Sequence, residues 1–553
     1  MTEDTKDGQA VRQGNGNGVS DGDPSVGIKQ LHNMRAGRCS SGTVNIASKG
    51  RMIADPNNPS YGPIRLNASD PACCGAMRPR LQNSKSEKHM NARATPGSDG
   101  ENGAIAPDFV ERSYWWDAMT DHGDRPTPVF QRSADVAIVG AGVTGLNAAL
   151  ELARGGKSVA VFDAGVAGYG ASSRNTGFLG RFLKKSLAEL MEGYGVEQAI
   201  AYYAELFEAL NISMVEVIER ERIDCDFSLA GRVVLARSPS QLRGVVDEFK
   251  LRERHLGEGI QVLNKKQLQQ QIKCSDIFCG GVLVPDMATI HPGKYHAGLL
   301  AAATKLGVLA YGNAPVSDIS KSTAGFDVET PLGTLRAKDV IVATNGYTGK
   351  DLNWFARRLV PFQGFAIATQ EVDRQTLSRL LPTNRSYTDA DFDTTAIRLT
   401  PDGKRIIMSG RTGKAMPIRA KASQLRKDLL SVFPELGDVR VSYAWSGFCA
   451  APLDAMPKIG QRPDGVWYAT GFTFMGMPQG SYFGRKVGLQ LLGRSEGATA
   501  FSSVPFRSSP FYTGNPWFLR PLMAAMRVKD YLSNRTQADT QASASNSTPP
   551  GFF

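Results

Sequence analysis

The chain has 553 residues, 41% hydrophobic and 21% charged, with 64 lysines and arginines against 53 acids for a formal charge of +11. That length exceeds one ordinary core and predicts two domains with tails, at a composition typical of a soluble globular protein. The positive charge is spread without a polybasic block or a basic motif interleaved with aromatics, so nucleic acid is excluded as an expected partner.

Seven cysteines without repeated CxxC spacing read as reduced thiols, so a cytoplasmic setting and no metal centre are expected. No stretch of membrane-spanning length is free of glycine and charge, so membrane contact is not expected. Residues 1 to about 110 are rich in Gly, Asn, Ser, Asp and Pro without sustained periodicity, and are expected to be disordered. Order should begin at Ser113-Tyr114-Trp115-Trp116, an aromatic cluster suited to docking on the folded body.

The stretch Asp135 to Asp163, DVAIVGAGVTGLNAALELARGGKSVAVFD, reads as strand, turn, helix and strand. Gly140 permits the tight turn, Gly142 lets backbone approach a pyrophosphate, and Gly145 lets the helix pack closely on the strand. The helix N-terminus faces the phosphates, and Asp163 ends the second strand where a carboxylate accepts from ribose hydroxyls. By itself the motif leaves FAD and NAD(P) open.

A second glycine-rich loop follows, Gly168 to Gly177, with Ala171, Ser172, Arg174 and Asn175 offering close backbone approach together with polar groups. A helical pattern then runs from Leu183 to about Arg222, breaking near Gly193 to Gly195. Strand patterns lie at Phe227 to Arg237 and Gly280 to Val284, with a helical segment between them. After DMATIHPGKY (Asp286 to Tyr295) come a small-residue helix, Leu299 to Leu306, and short strands at Val316 to Ile319, Phe326 to Thr330 and Gly333 to Ala337. A buried strand from Asp339 ends at Thr344-Asn345-Gly346, another turn where backbone can meet a cofactor.

Residues Leu359 to Arg440 alternate at Ala366 to Glu371, Thr395 to Leu399 and Arg405 to Ser409, an antiparallel sheet and the candidate substrate domain. A strand at Val466 to Ala469, a loop to Gln479 and a helix from about Gly480 to Leu492 complete the ordered block. Beyond it, one amphipathic helix is expected around Leu522 to Leu532, and disorder after Arg535.

Four stretches carry a family resemblance: SYWWDAM ahead of DVAIVGAGVTGL, GYGASSRNTGF, VIVATNGYTG, and WSGFCAAPLDAMPKIG with GVWYATGFTFMGMPQGSYFGRKVGLQLL. In this order, across residues 113 to 492, they resemble the FAD-dependent amine and amino-acid oxidoreductases of the D-amino-acid oxidase superfamily. The first two look most like the gamma-glutamylputrescine oxidase branch.

The resemblance implies an α/β fold with a discontinuous Rossmann-like FAD-binding domain (133–185, 285–348 and 442–495). An inserted α+β antiparallel-sheet substrate domain takes 186–284 and 349–441, followed by a one-helix C-terminal extension, 496–534, and a tail, 535–553. Besides Gly140, Gly142, Gly145, Asp163 and the second-loop residues, it points to Thr344, Asn345, Gly346, Gly471, Gly476, Gln479 and Gly480 as FAD contacts. The helix near Gly480 would set its N-terminus by the flavin pyrimidine edge, where partial positive charge stabilises a reduced ring.

The implied reaction is hydride transfer to flavin from a C–H beside a neutral amine, giving an imine, with oxygen or an electron carrier as acceptor. His291, Arg398 and Arg411 are the candidate catalytic or substrate-gripping residues. Two departures matter. Sarcosine oxidases place a substrate-binding lysine where Pro478 stands, and Cys449 is slightly out of register with their flavin-tethering cysteine, so non-covalent FAD is expected. A same-fold flavoenzyme acting on the CH–OH bond of a hydroxy acid, and a non-catalytic flavoprotein interaction module, are the alternatives.

Overall fold

The computed structural model describes residues 103–119, 127–413 and 416–529. The expected unit forms as Ser133–Val139, Val143–Arg154 and Val159–Phe162. Its strands pair in parallel with Val136 opposite Val159, and the helix buries Leu146, Ala149, Leu150 and Leu152. Leu309–Tyr311 adds in parallel beyond Val159–Phe162, and Gly333–Val342 adds in parallel on the other side.

Gly333–Val342 is one strand where the sequence suggested two. Its first half alternates, Leu335 and Ala337 inward and Arg336 and Lys338 outward, and pairs antiparallel with Gly325–Thr330. Its second half, Val340 to Val342, is wholly buried and joins the parallel core. Asp318–Ser322, Trp467–Thr470 and Lys458–Gln461 complete this eight-stranded sheet.

A nine-stranded sheet stands beside it, built on the long antiparallel pair Leu359–Thr369 and Val441–Pro452. Ile406–Gly413, Ala396–Leu399 and Ser386–Asp389 continue it to Arg232–Ala236, Gly280–Val284 and Gln261–Asn264. Trp115, on the short helix Tyr114–Asp117, is fully buried against Ala366, Ala368, Ile407 and Trp445 on this sheet. The aromatic cluster therefore docks as expected.

Several expectations are corrected. Ile105–Val110 lies within the stretch expected to be disordered, yet it pairs in parallel with Val441–Pro452 while Ile105 and Phe109 pack on the core. The remainder of 1–102 and the tail 535–553 lie outside the described residues. Val441–Pro452, at the start of the expected segment 442–495, lies in the nine-stranded sheet. The pattern from Leu183 resolves into Leu187–Tyr194, Val196–Glu208, a π-helical turn at Ala209–Met214, and Val215–Arg220, with the break at Gly195. The last core helix is Gly476–Leu491, four residues earlier at its start than expected. Residues 519–529 are helical, and the rest of the expected Leu522 to Leu532 helix lies outside the described residues. Among the described residues no helix is long and apolar enough to cross a membrane.

Candidate active site

A cavity of about 1010 Å³ is lined from both sheets, at the upper end of small-molecule sites. Gly140, Gly142 and Asp163 line it together with Ala171, Ser172, Arg174 and Asn175, the turn Thr344-Asn345-Gly346, and Thr473 to Met477. Motifs far apart in sequence thus converge on one space.

The glycine turn is built as the sequence required. Gly140 has φ +106, and a Cβ on it would lie 2.9 Å from the Ala343 carbonyl oxygen. A Cβ on Gly145 would lie 2.0 Å from the Gly140 oxygen, so Gly145 sets the helix against the strand and does not itself line the cavity. Beside Gly142, Ser172 Oγ accepts from Val143 N at 3.0 Å, which fastens the second loop to the first helical turn. Asp163 Oδ2 accepts from Ala141 N at 3.0 Å and Oδ1 from Gly165 N at 3.1 Å. Burial raises its pKa and these N–H donors oppose the rise. A carboxylate has about four lone-pair sites, so capacity remains for ribose hydroxyls.

His296 was missed in the sequence. Its Nε2 donates to the Ala141 carbonyl at 2.7 Å, and burial pushes its pKa down, so a neutral imidazole pins the glycine turn. It lies on the buried face of Pro292–Lys305 with Tyr295, Leu299 and Ala303, a position that only tertiary packing distinguishes from core.

Arg174 lies over the rings of Tyr169 and Trp116 at 4.1 and 4.8 Å, and its Nη1 donates to the Ser446 carbonyl at 2.9 Å. The Asn175 side chain serves its own loop, accepting from Gly177 N at 2.8 Å and donating to Ala171 O at 3.0 Å. Asn345 Oδ1 accepts from Gly471 N at 2.9 Å, tying the 344–346 turn to the end of Trp467–Thr470.

Three expected FAD contacts at the C-terminal end do not line the cavity. Gly471 is tight against Pro452, whose Cγ lies 2.4 Å from a built Cβ. Gln479 Nε2 donates to the Phe182 carbonyl at 2.9 Å. Gly480, with Gly484 and Gly488, forms a stripe at helical spacing facing Val143–Arg154. A Cβ on Gly480 would meet Thr144 Oγ1 at 2.7 Å, and one on Gly484 the Thr144 carbonyl oxygen at 2.2 Å. The helix end that borders the cavity is at Gly476, reached through Thr473 and Phe474 with φ +44 and +72.

None of the three catalytic candidates lines the cavity. Arg398 Nη1 donates to the carbonyls of Ile290 at 2.9 Å and Gly177 at 3.2 Å, and its guanidinium sits 5.5 Å from the Trp115 ring centre. Arg411 is paired bidentately with Asp428 at 2.7 and 2.5 Å. His291 caps Pro292–Lys305, its Nδ1 accepting from Lys294 N at 3.2 Å, and packs 4.8 Å from Trp115. Burial, aided by Lys294 and Arg398, lowers its pKa to about 3.

Three cations line the cavity, Arg174, Lys184 and Arg232, and the buried one is Arg232, at the start of Arg232–Ala236 and 3% exposed. Nε donates to Ser386 Oγ and Nη2 to the Leu179 carbonyl, both at 3.2 Å. Among the described residues no carboxylate pairs with it, and burial, then Arg398, lowers its pKa to about 10. A buried charge without a counter-ion is costly, so this site suits an anion brought from outside. The signal was an arginine opening an otherwise apolar run, GRVVLA.

These features fit a dinucleotide: a glycine turn at a helix N-terminus, a carboxylate at the next strand end, and a second helix N-terminus at the far side. A family model described as FAD dependent oxidoreductase matches residues 135–488, more than half of the chain. The "Probable oxidoreductase OrdL" of Haemophilus influenzae is 28% identical over 71% of this chain and 91% of that protein. The "Gamma-glutamylputrescine oxidoreductase" of Escherichia coli is 29% identical over 68% and 88%. The solved glycine oxidase of Geobacillus kaustophilus shares the fold with a TM-score of 0.57 at 23% identity, covering 69% of this chain and 99% of its own. The chain belongs to the DAO family of FAD-dependent oxidoreductases.

Proposed function

We propose that the protein oxidises the CH–NH bond of an amine or amino acid to an imine, which water hydrolyses to a carbonyl compound and a released amine. The observation that carries this reading is Arg232, a buried cation without an acidic partner among the described residues, in the same cavity as the glycine turn and Asp163. Names of relatives point the same way: glycine oxidase and gamma-glutamylputrescine oxidoreductase.

On this reading the eight-stranded sheet carries the cofactor and the nine-stranded sheet carries the substrate. Gly140, Gly142 and the helix behind them receive the pyrophosphate, and Asp163 accepts from the adenosine ribose. The bound flavin supplies the hydride acceptor. The helix start at Gly476 favours negative charge developing at that end of the cavity. Arg232 grips a substrate carboxylate and so orients the C–H beside the amine. Cys449 supports non-covalent FAD, because burial pushes its thiol to about 12 and attack requires the thiolate.

Oxidation of a hydroxy acid calls for a base to form the alkoxide. An amine needs only to enter neutral, having left its proton in solvent. The test supplies amines, amino acids and hydroxy acids to the FAD-loaded protein with oxygen or an artificial electron carrier, and traps carbonyl products with a hydrazine. Carbonyl with equimolar ammonia or amine is expected. Carbonyl from hydroxy acids alone would overturn the proposal.

A further inference from the structure

The family match ends at residue 488, yet the chain beyond it returns to the cavity. Leu519, Leu522 and Met523, on the helix at 519–529, line the same space as the glycine turn. Leu519 and Met523 pack on Phe362, with Phe392 and Cys449 alongside. The segment is fastened at both ends. Tyr512, buried, donates its hydroxyl to the Leu359 carbonyl at 2.7 Å. Arg527 donates Nε and Nη2 to Asp393 at 2.9 and 2.7 Å, and Nη2 also to the Thr412 carbonyl at 2.6 Å. Both anchors lie on the nine-stranded sheet or its connections.

We infer that this C-terminal helix is a wall of the substrate part of the cavity, and that it selects substrates carrying an apolar group of several carbons away from the reacting C–H. The inference rests on the amine-oxidising reading and names its substrate class. Leu519, Leu522 and Met523 face a space that Phe362, Phe392 and Phe474 also border, with Phe362 and Phe474 rings 4.6 Å apart. An alkyl or aryl group placed there leaves water for apolar surface on several sides. A short or strongly polar substrate would leave that surface wet. Because the wall comes from outside the matched stretch, its selectivity belongs to this chain's extension.

The test uses the full-length, FAD-loaded protein and needs no turnover. Straight-chain alkanoates from acetate to octanoate are titrated while the visible flavin band is followed, and straight-chain alkylamines are assayed in parallel for anaerobic flavin reduction. Affinity for the alkanoates should climb about threefold to fourfold per methylene. In Leu522→Asp and Met523→Ser that slope should collapse for the longer chains while acetate binds as before, and Met523→Leu should restore it. A role confined to stability would weaken every chain length alike. An unchanged slope in both variants, or no alkanoate effect in the parent protein, overturns the inference. If the slope behaves as expected but no amine reduces the flavin, the wall stands and the amine-oxidising reading falls.

Discussion

Arg232 and His291 are both buried, and their surroundings give them opposite uses. Arg232 opens into the cavity with no acid beside it, so its charge is available to a ligand. Arg232→Met should raise KM for carboxylate-bearing substrates about thirtyfold, a loss of about 2 kcal/mol for a charged hydrogen bond, while barely changing KM for amines without a carboxylate. Equal effects on both classes in steady-state kinetics would remove Arg232 from substrate binding. His291 is neutral and closed in, with a folded pKa of about 3 against an unfolded value near 6.5. The native state therefore binds fewer protons than the unfolded state between these values. Stability is full above about 6.5 and declines as the pH falls toward 3. His291→Asn keeps an acceptor for Lys294 N and should flatten the dependence of the urea midpoint on pH across this window, with the pH profile of flavin reduction unchanged. At this scale the sequence was least legible. A family segment singled out His291, and the expected substrate sheet Arg398 and Arg411, but only the fold tells which arginine turns away from the cavity, to carbonyls or to Asp428, and which lines it.

Helix packing explains how the site is held. The stripe Gly480, Gly484 and Gly488 lets Gly476–Leu491 lie close on Val143–Arg154, the helix whose N-terminus belongs to the glycine turn. Gly484→Ala would place a Cβ 2.2 Å from backbone oxygen, so the helices must separate. A loss of about 2 kcal/mol in chemical denaturation is expected, together with weaker FAD binding by fluorescence titration. Gly193→Ala, also within a helix but with nothing within 4 Å of the new Cβ, should instead stabilise by about 1 kcal/mol or less. Elements were more legible than side chains. The strand, turn, helix and strand at Asp135 to Asp163 followed from periodicity and glycine spacing. The early start of Gly476–Leu491 did not, because Gly476 and Pro478 read as breakers. In a first turn they are tolerated, since those N–H groups have no intrahelical acceptor. Ile105–Val110 escaped notice because its pairing partner lies near the other end of the fold.

At the scale of the molecule, the two sheets meet over a cavity that neither could enclose alone. A buried ion-pair cluster ties the chain after Phe178–Leu179 to the turn after Gly280–Val284: Arg181 binds Asp286 at 2.6 and 2.8 Å and also Glu258, which in turn accepts from Arg252 at 2.9 Å. Arg181→Ala would leave Asp286 buried without its cation and should cost about 3–5 kcal/mol, read as a lower urea midpoint. The α/β class and the cofactor were legible because family motifs recur in order along the chain. The contribution of the C-terminal helix was not, since an amphipathic pattern does not say which surface it covers. The central claim is that FAD in this cavity takes a hydride from a carbon bearing an amine. Its most direct test is the visible spectrum of the FAD-loaded protein, recorded without oxygen before and after adding single amines and amino acids. Bleaching of the flavin band by at least one of them is the predicted result. A band that no amine or amino acid bleaches, or that only a hydroxy acid bleaches, would contradict the account.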